Sequence, residues 1–544
     1  MMSNMTVSPL LPSSQAVYPP TPSTTATTTL LLPQHWPSAA AALVLLVTLL
    51  AAHVFKPDPL SEIPLVGTGS AAERRRQYVS GKATELYIEG YQKFKNGVFR
   101  IVAARPARTV VVSPAYLDEL RKLPDTVLSF TKAVKETMQT EYLPVKIDDD
   151  AHDIIDTIRS KLTPALPRLT TLLADEIKSS LDEQLPPLAS ANEWTQVNLA
   201  PQILRTVAAS SGRVFIGPEL CRDPRYLDSA TNFPADVARA VVKVTSLPGW
   251  LRPLRARSLP EVRRLEERMA EADDTLRPVV TARRERRGKE GGKEGDGDDN
   301  MLQWIMDVRE KEGRRDDKQL ANDQVNLSFA AIHTTAGPTT RAAYWLAAMP
   351  EVAPELRQDV RDALAASGGA YTTPALQGMK KLDSFLKEVL RCSPTTLAAF
   401  ERMVLQTMTL STGQTIPAGT VLEVPLAAVC ADPAIFPSPH TFDPLRHHRL
   451  RLQKQRCGAE ATGSATGSAA QQQLVSVGPA SLSFGFGRHA CPGRFFAANQ
   501  VKIIIAELLL GYDLKLAGDV EFDGTTRTDP SKSGARILMR RISE

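Results

Sequence analysis

Cysteine is scarce in this chain, and nothing pairs what there is. The 544 residues hold five cysteines: Cys221, Cys392, Cys430, Cys457 and Cys491. The number is odd, the positions are scattered and no Cys-x-x-Cys pair occurs. That argues against a disulfide framework and against zinc, and fits a reducing compartment. Excess charge is lacking too: a net charge of +5 is too small at this length to argue for nucleic acid. No charged residue precedes Lys56. The start therefore lacks both the basic n-region of a cleaved signal peptide and the arginines of a mitochondrial transit peptide. There is no internal repeat.

What is present reads as a globular protein, with 43% hydrophobic and 23% charged residues. Residues 1–36 are rich in Ser, Thr and Pro and are expected to be disordered. Residues 37–55 form an apolar run long enough to cross a bilayer as a helix. Basic residues follow it (Lys56, then Arg74, Arg75 and Arg76), so the positive-inside rule places the body in the cytosol and the tail in the lumen. This predicts a single-pass signal anchor in the endoplasmic reticulum membrane. Asn4-Met5-Thr6 is then a glycosylation sequon on the luminal side. Residues 56–70 carry Pro57, Pro59 and Pro64, a stiff hinge or an ordinary linker.

From about Ala71 the pattern is mostly helical, with apolar residues at helical spacing over Glu261 to Arg284, Gln319 to Met349, Met379 to Cys392 and Gly493 to Gly511. Short β-prone runs stand at Val98 to Ile101, Thr109 to Val112 and Thr420 to Val424. The expected class is mainly α with small β-sheets. Arg286 to Asn300 and Cys457 to Gln473 are low-complexity and read as surface loops.

The most informative stretch runs from Ser483 to Ala497, SFGFGRHACPGRFFA. It is a glycine-rich loop that ends in a Cys at the start of a helix. Gly487 and Gly493 allow tight turns beside a flat ligand. Backbone N–H groups near a helix N-terminus stabilise a thiolate. A buried Cys in a Gly-rich turn is the plain alternative. The stretch resembles the heme-binding signature of cytochromes P-450, with Phe484, Gly487, Cys491 and Gly493 at the required spacing. The resemblance makes Cys491 the axial ligand of a heme b iron, and a thiolate there favours O–O cleavage. The family has Arg two residues before the Cys, where it pairs with a heme propionate. Here His489 stands in that place, after Arg488, as in fungal members that oxidise terpenoids.

Distant motifs support the likeness, which covers about residues 85 to 541 as one catalytic domain from 71 to 544, where length alone suggests roughly three or four domains. The segments GYQKF (Gly90 to Phe94) and FRI (Phe99 to Ile101) match the early part of the fungal group. Glu388 and Arg391 sit three apart on one helix face, an arrangement usually seen as a weak surface pair. The resemblance adds Arg446 and implies a buried structural network bracing the heme loop. Ala330-Ala331-Ile332-His333-Thr334-Thr335 resembles the oxygen-activation segment. It gives Thr334 the role of assisting oxygen activation and proton delivery, and puts His333 in place of the usual acid, as a proton relay or as a His merely packed in the helix. Pro338 follows Thr334 by four, kinks the helix and frees the Thr334 carbonyl to hold a water.

Family architecture implies a pocket built from three segments: Val325 to Thr335, the loop Pro394 to Phe400, and a late hairpin near Asp529 to Arg536. Leu327, Phe329, Ile332, Leu397 and Phe400 are its expected lining, suited to a lipophilic substrate. Leu247 to Leu254 (LPGWLRPL) reads as a membrane-dipping segment or a buried loop. Arg446 to Arg456 is basic and reads as a docking face for an acidic partner or as a solvated loop. The resemblance implies electrons from NADPH through cytochrome P-450 reductase, with cytochrome b5 as a further donor. Two function classes follow: a monooxygenase acting on a hydrophobic secondary metabolite, most readily a terpenoid, and a heme-binding protein without oxygenase activity, a scaffold or an isomerase-like relative.

Overall fold

The computed structural model describes residues 40–48, 58–147, 152–186, 193–289, 299–314, 316–456, 469–518, 529–532 and 536–542. It divides into two units, 1–58 and 59–544. In the first, residues 40–48 are helical, and the rest of the expected anchor and the sequon lie outside the described residues. Among the described residues no helix is long and apolar enough to cross a membrane.

The second unit is mainly helical. The helices that matter below are α1 (Phe130–Met138), α2 (Thr163–Gln184), α3 (Leu199–Phe215), α4 (Pro224–Ser246), α5 (Pro260–Lys289), α6 (Asp317–Ala348), α7 (Lys380–Cys392), α8 (Arg446–Arg456) and α9 (Arg494–Gly511). Their starts follow from local chemistry. Asp223 caps α4 by accepting from the N–H of Arg225 at 2.8 Å, with Pro224 at the first position, where no donor is needed. Asp316 caps α6 through the N–H groups of Lys318 and Gln319, at 3.0 and 3.1 Å. Pro338 lies inside α6 without ending it. The basic segment Arg446 to Arg456 is a helix and not a loop.

Three sheets accompany the helices. One has the order β1-β2-β8-β5-β3, where β1 is Val98–Ile101, β2 Thr109–Val112, β3 Leu128–Ser129, β5 Ala399–Val404 and β8 Val421–Val424. β4 (Thr195–Val197), β10 (Ile537–Arg541) and β9 (Tyr512–Leu516) form a second, and β6 (Met408–Thr409) with β7 (Thr415–Ile416) a third. β8 runs parallel to β2, with Val110 opposite Leu422, and antiparallel to β5. The β5–β8 register shifts between Ala399 and Arg402, and Phe400 in that interval has φ 55°. A bulky residue is strained there, and such irregularities re-aim neighbouring side chains.

The main core gathers Leu173 and Ile177 of α2, Ile203 and Val207 of α3, Ile332 and Trp345 of α6, Phe385 of α7 and Ile504 of α9. Trp345 stacks on Phe442 with ring centroids 3.8 Å apart, which seats the segment before α8 against α6. Strand residues Val110, Leu422, Val424 and Leu128 form a second apolar cluster with Phe400 and Leu482.

Candidate functional site

Cys491 ends the loop that leads into α9. Its N–H donates to the Phe484 carbonyl at 2.8 Å, which closes the loop on itself. Gly485 and Gly487 hold φ of 75° and 71°, so the loop needs glycine at both. A Cβ on Gly487 would also stand 3.2 Å from Arg121 Cβ. Burial pushes the Cys491 thiol up, while the N–H groups of Gly493 and Arg494 and the Arg494 charge act the other way. The net direction is upward, so the protein alone favours the thiol; the half-buried sulfur at the helix start has beside it the backbone donors that a metal-bound thiolate would use.

Cationic side chains collect beside this loop. His489 Nε2 lies 2.9 Å from Asp125 Oδ1, and Arg488 Nη2 lies 2.8 Å from the same oxygen. The His489 ring stacks on Phe130 at the start of α1, with centroids 5.6 Å apart. Burial lowers the His489 pKa, and Arg402 and Arg488 add to this while Asp125 opposes it. Arg159 Nη2 donates to the Arg488 carbonyl at 2.6 Å. Arg402, aimed by the irregularity in β5, lies with its guanidinium 4.3 Å from the Phe400 ring centroid and 5.3 Å from that of Phe130. Burial lowers its pKa to about 10. It donates to the Glu401 carbonyl but has no ion-pair partner among the described residues. A buried guanidinium without a carboxylate is costly unless an anion joins it. A tetrapyrrole with acidic side chains and a thiolate-ligated metal supplies that anion, so the donor set fits heme. Sequence reasoning missed Arg402, Asp125, Arg159 and Phe130, which no short motif links to Cys491.

The three charges expected to form a network are brought together. Glu388 is fully buried and accepts from Arg391 Nε and Nη2, both at 2.8 Å, from Arg446 Nε at 3.0 Å and from the Asp443 N–H at 3.0 Å. His447 Nε2 lies 3.4 Å from Glu388 Oε2. Burial would raise the Glu388 pKa, yet the Arg391 guanidinium holds it well below the carboxylate range.

On α6, Ala330 and Thr334 are exposed in the middle of a largely buried helix, one turn apart, so this face borders open space. Thr334 Oγ1 donates to the Ala330 carbonyl at 2.6 Å. His333 points elsewhere, with Nε2 2.7 Å from the carbonyl oxygen of Thr231 in α4. The expected lining residues are scattered. Ile332 is fully buried in the main core and Leu327 packs there as well. Phe329 meets Phe233 edge-on at 5.9 Å. Leu397 packs beside Tyr87 and Phe99. Phe400 borders a small cavity with Arg402, Phe486 and His489. Of the late hairpin, 529–532 and 536 are described, with a 3₁₀ turn at Pro530–Lys532.

The family description "Cytochrome P450" matches residues 57–532. The chain is 38% identical over 439 residues to "Cytochrome P450 monooxygenase ATR3" of Stachybotrys chlorohalonatus, covering 79% of this chain and 88% of that protein. It is 32% identical over 507 residues to "Ent-kaurene oxidase" of Fusarium fujikuroi, covering 90% of each. Among solved structures it is similar in fold to the retinoic acid-bound cyanobacterial CYP120A1, with a TM-score of 0.63, 17% identity, and coverage of 88% of this chain and 99% of that one. A match that spans most of the chain, together with the thiol-bearing loop and its brace, makes this protein a member of the cytochrome P450 monooxygenase family, an oxidoreductase whose fold is built for heme.

Proposed function

We propose that this P450 hydroxylates, or oxidises in several steps, a lipophilic secondary metabolite of the terpenoid class, with electrons from NADPH delivered by a membrane-bound reductase. The observation that carries the reading is the open face of α6 on which Ala330 and Thr334 are exposed, one turn apart. Cys491 would hold heme, which would supply oxygen activation; in the balanced reaction one oxygen atom would enter a C–H bond while two electrons and two protons would take the other to water. Around it, the Cys491 loop would hold the sulfur, Arg402 would face an acidic group, and the Thr334 hydroxyl, bonded in this conformation to the Ala330 carbonyl, lies on the exposed side of α6. The terpenoid class rests on kinship with proteins such as the Fusarium ent-kaurene oxidase.

Membrane attachment is part of the proposal. Leu43, Val44, Leu45, Leu46 and Val47 are each more than half exposed on the described part of the N-terminal helix, an apolar surface suited to lipid. Trp250 and Leu254, 75% and 73% exposed, favour the membrane-dipping reading of Leu247 to Leu254. For the reductase, the first turn of α8 is pinned inward by Arg446, while Arg449 and Arg456 are exposed.

The test is expression with a fungal reductase and incubation with extracted terpenoids. NADPH consumption with a product heavier by one oxygen is expected, along with the red-shifted Soret band of the ferrous–CO complex. That band without substrate-dependent NADPH consumption would favour the non-oxygenase alternative. Oxidation restricted to non-terpenoid metabolites would remove the substrate class and leave the enzyme class standing.

A further inference from the structure

His333 sits next to Thr334 in sequence but serves a different partner. Its Nε2 lies 2.7 Å from the Thr231 carbonyl oxygen. A carbonyl only accepts, so Nε2 carries the hydrogen whatever the charge of the ring. Thr231 belongs to a helix, where carbonyls are ordinarily taken by the backbone. Pro234, three residues on and inside the helix, has no N–H for the Ala230 carbonyl, so the turn where the imidazole enters is short of one backbone hydrogen bond. Elsewhere the two helices meet through apolar contacts among Phe233, Val237, Val325 and Phe329. Phe233 meets Phe329 edge-on, and among the described residues the buried Gln324 side chain finds no hydrogen-bond partner for either its oxygen or its nitrogen. α4 is meanwhile locked to α5. Arg268 pairs with Asp236 and, at 2.9 Å, with Asp228, and both Arg268 and Asp236 are at least nine-tenths buried.

We infer that His333 is a positioning residue: it pins the locked α4–α5 pair to the helix that carries Thr334, and with its Nε2 hydrogen turned toward α4 it is not the proton relay in this conformation. A net hydrogen bond is worth about 1 kcal/mol, which corresponds to roughly fivefold in a local opening equilibrium. The inference stands whatever the substrate proves to be.

Hydrogen–deuterium exchange on the full-length, heme-loaded protein tests it. His333→Ala and His333→Asn lose the reach to Thr231, so exchange in peptides from 224–246 should rise about fivefold. His333→Gln keeps an N–H at nearly the same place and should stay within about twofold of the parent. Peptides from α7 and the ferrous–CO spectrum should not change. If His333→Ala fails to load heme, His333→Asn carries the comparison. Unchanged exchange in the Ala and Asn variants, an equal rise in the Gln variant, or a rise that spreads to α7 would each overturn the inference.

Discussion

Glu388 Oε1 takes hydrogen bonds from two arginines on different elements, Arg391 Nη2 at 2.8 Å and Arg446 Nε at 3.0 Å. Each arginine also holds carbonyls of the segment between them: Arg391 bonds Cys430 and Pro439, and Arg446 bonds Pro437 and Thr441. One carboxylate thus ties residues 430–446 to α7. Glu388→Gln leaves two buried guanidiniums short of counter-charge, and breaking a buried pair costs about 3–5 kcal/mol. The expected outcome is loss of heme and a markedly lower melting temperature. A melting curve that overlays the parent's would refute the brace. The folded pKa lies below the ordinary 4.5, so the stabilisation is full above that value and fades only as pH falls through it toward the folded value. Stability from this group should therefore be flat across neutral pH.

One position along α7, Lys387 supplies a test of opposite sign. Its Nζ donates to the carbonyls of Gln471 and Gln473 at 2.8 and 2.7 Å and to Ser481 Oγ at 3.2 Å, which fastens the approach to the Cys491 loop. Burial lowers its pKa to about 8 from 10.5. Below the folded value both states are protonated and the cost of burying the charge is present in full. Between the two values the unfolded chain binds more protons, so stability rises with pH. Relative to Lys387→Met, the parent should gain stability from about pH 8 to 10.5. Urea melts at several pH values would show it, and parallel curves would argue against a buried charge here.

Much of this was legible in the sequence because it is local. The helices carrying Thr334, Glu388 and the residues after Cys491 announced themselves by apolar spacing, and their observed ends at Asp317–Ala348, Lys380–Cys392 and Arg494–Gly511 lie within two residues of the expected ones. Arg402 was not legible. Its direction depends on a register shift and on the positive φ of Phe400, and neither leaves a trace in an alternating strand pattern. The expected lining is divided among several surroundings for a related reason. Residues 332 and 334 are two positions apart on a helix and so point to nearly opposite sides, which buries Ile332 while Thr334 stays open.

Arg402 leads to the third prediction. Arg402→Leu keeps the bulk between Phe400 and Phe130 and removes the charge. If this guanidinium faces an acidic heme substituent, transfer of heme to an apo-globin acceptor should speed up by about tenfold, the order expected when a charge-assisted hydrogen bond is lost. Equal transfer rates would show that the cation serves the protein alone.

Pro338 denies the Thr334 carbonyl its helical donor and leaves it for water. Pro338→Ala restores an N–H at that position, so reductase-driven turnover should release more hydrogen peroxide per NADPH, by about twofold or more if proton delivery is impaired by 0.5 kcal/mol. Unchanged coupling would remove the water from the argument.

The two ends of α8 differ in what they do. Arg446 and His447 are buried against Glu388, whereas Arg449 is exposed and its guanidinium pairs with Asp443, and Arg456 is exposed at the far end. Buried groups of the first kind hold the fold; exposed charges of the second kind act at a distance, through a field that salt screens over about 8 Å at physiological ionic strength. If the exposed end steers an acidic reductase, neutralising Arg449 and Arg456 together should slow reductase-supported turnover severalfold at low salt. The difference should then shrink as salt is added, because steering is lost from the parent as well. Heme content and melting temperature should stay at the parent's values, which separates docking from folding. A turnover rate independent of both the substitutions and the salt would place the electron entry elsewhere on the surface.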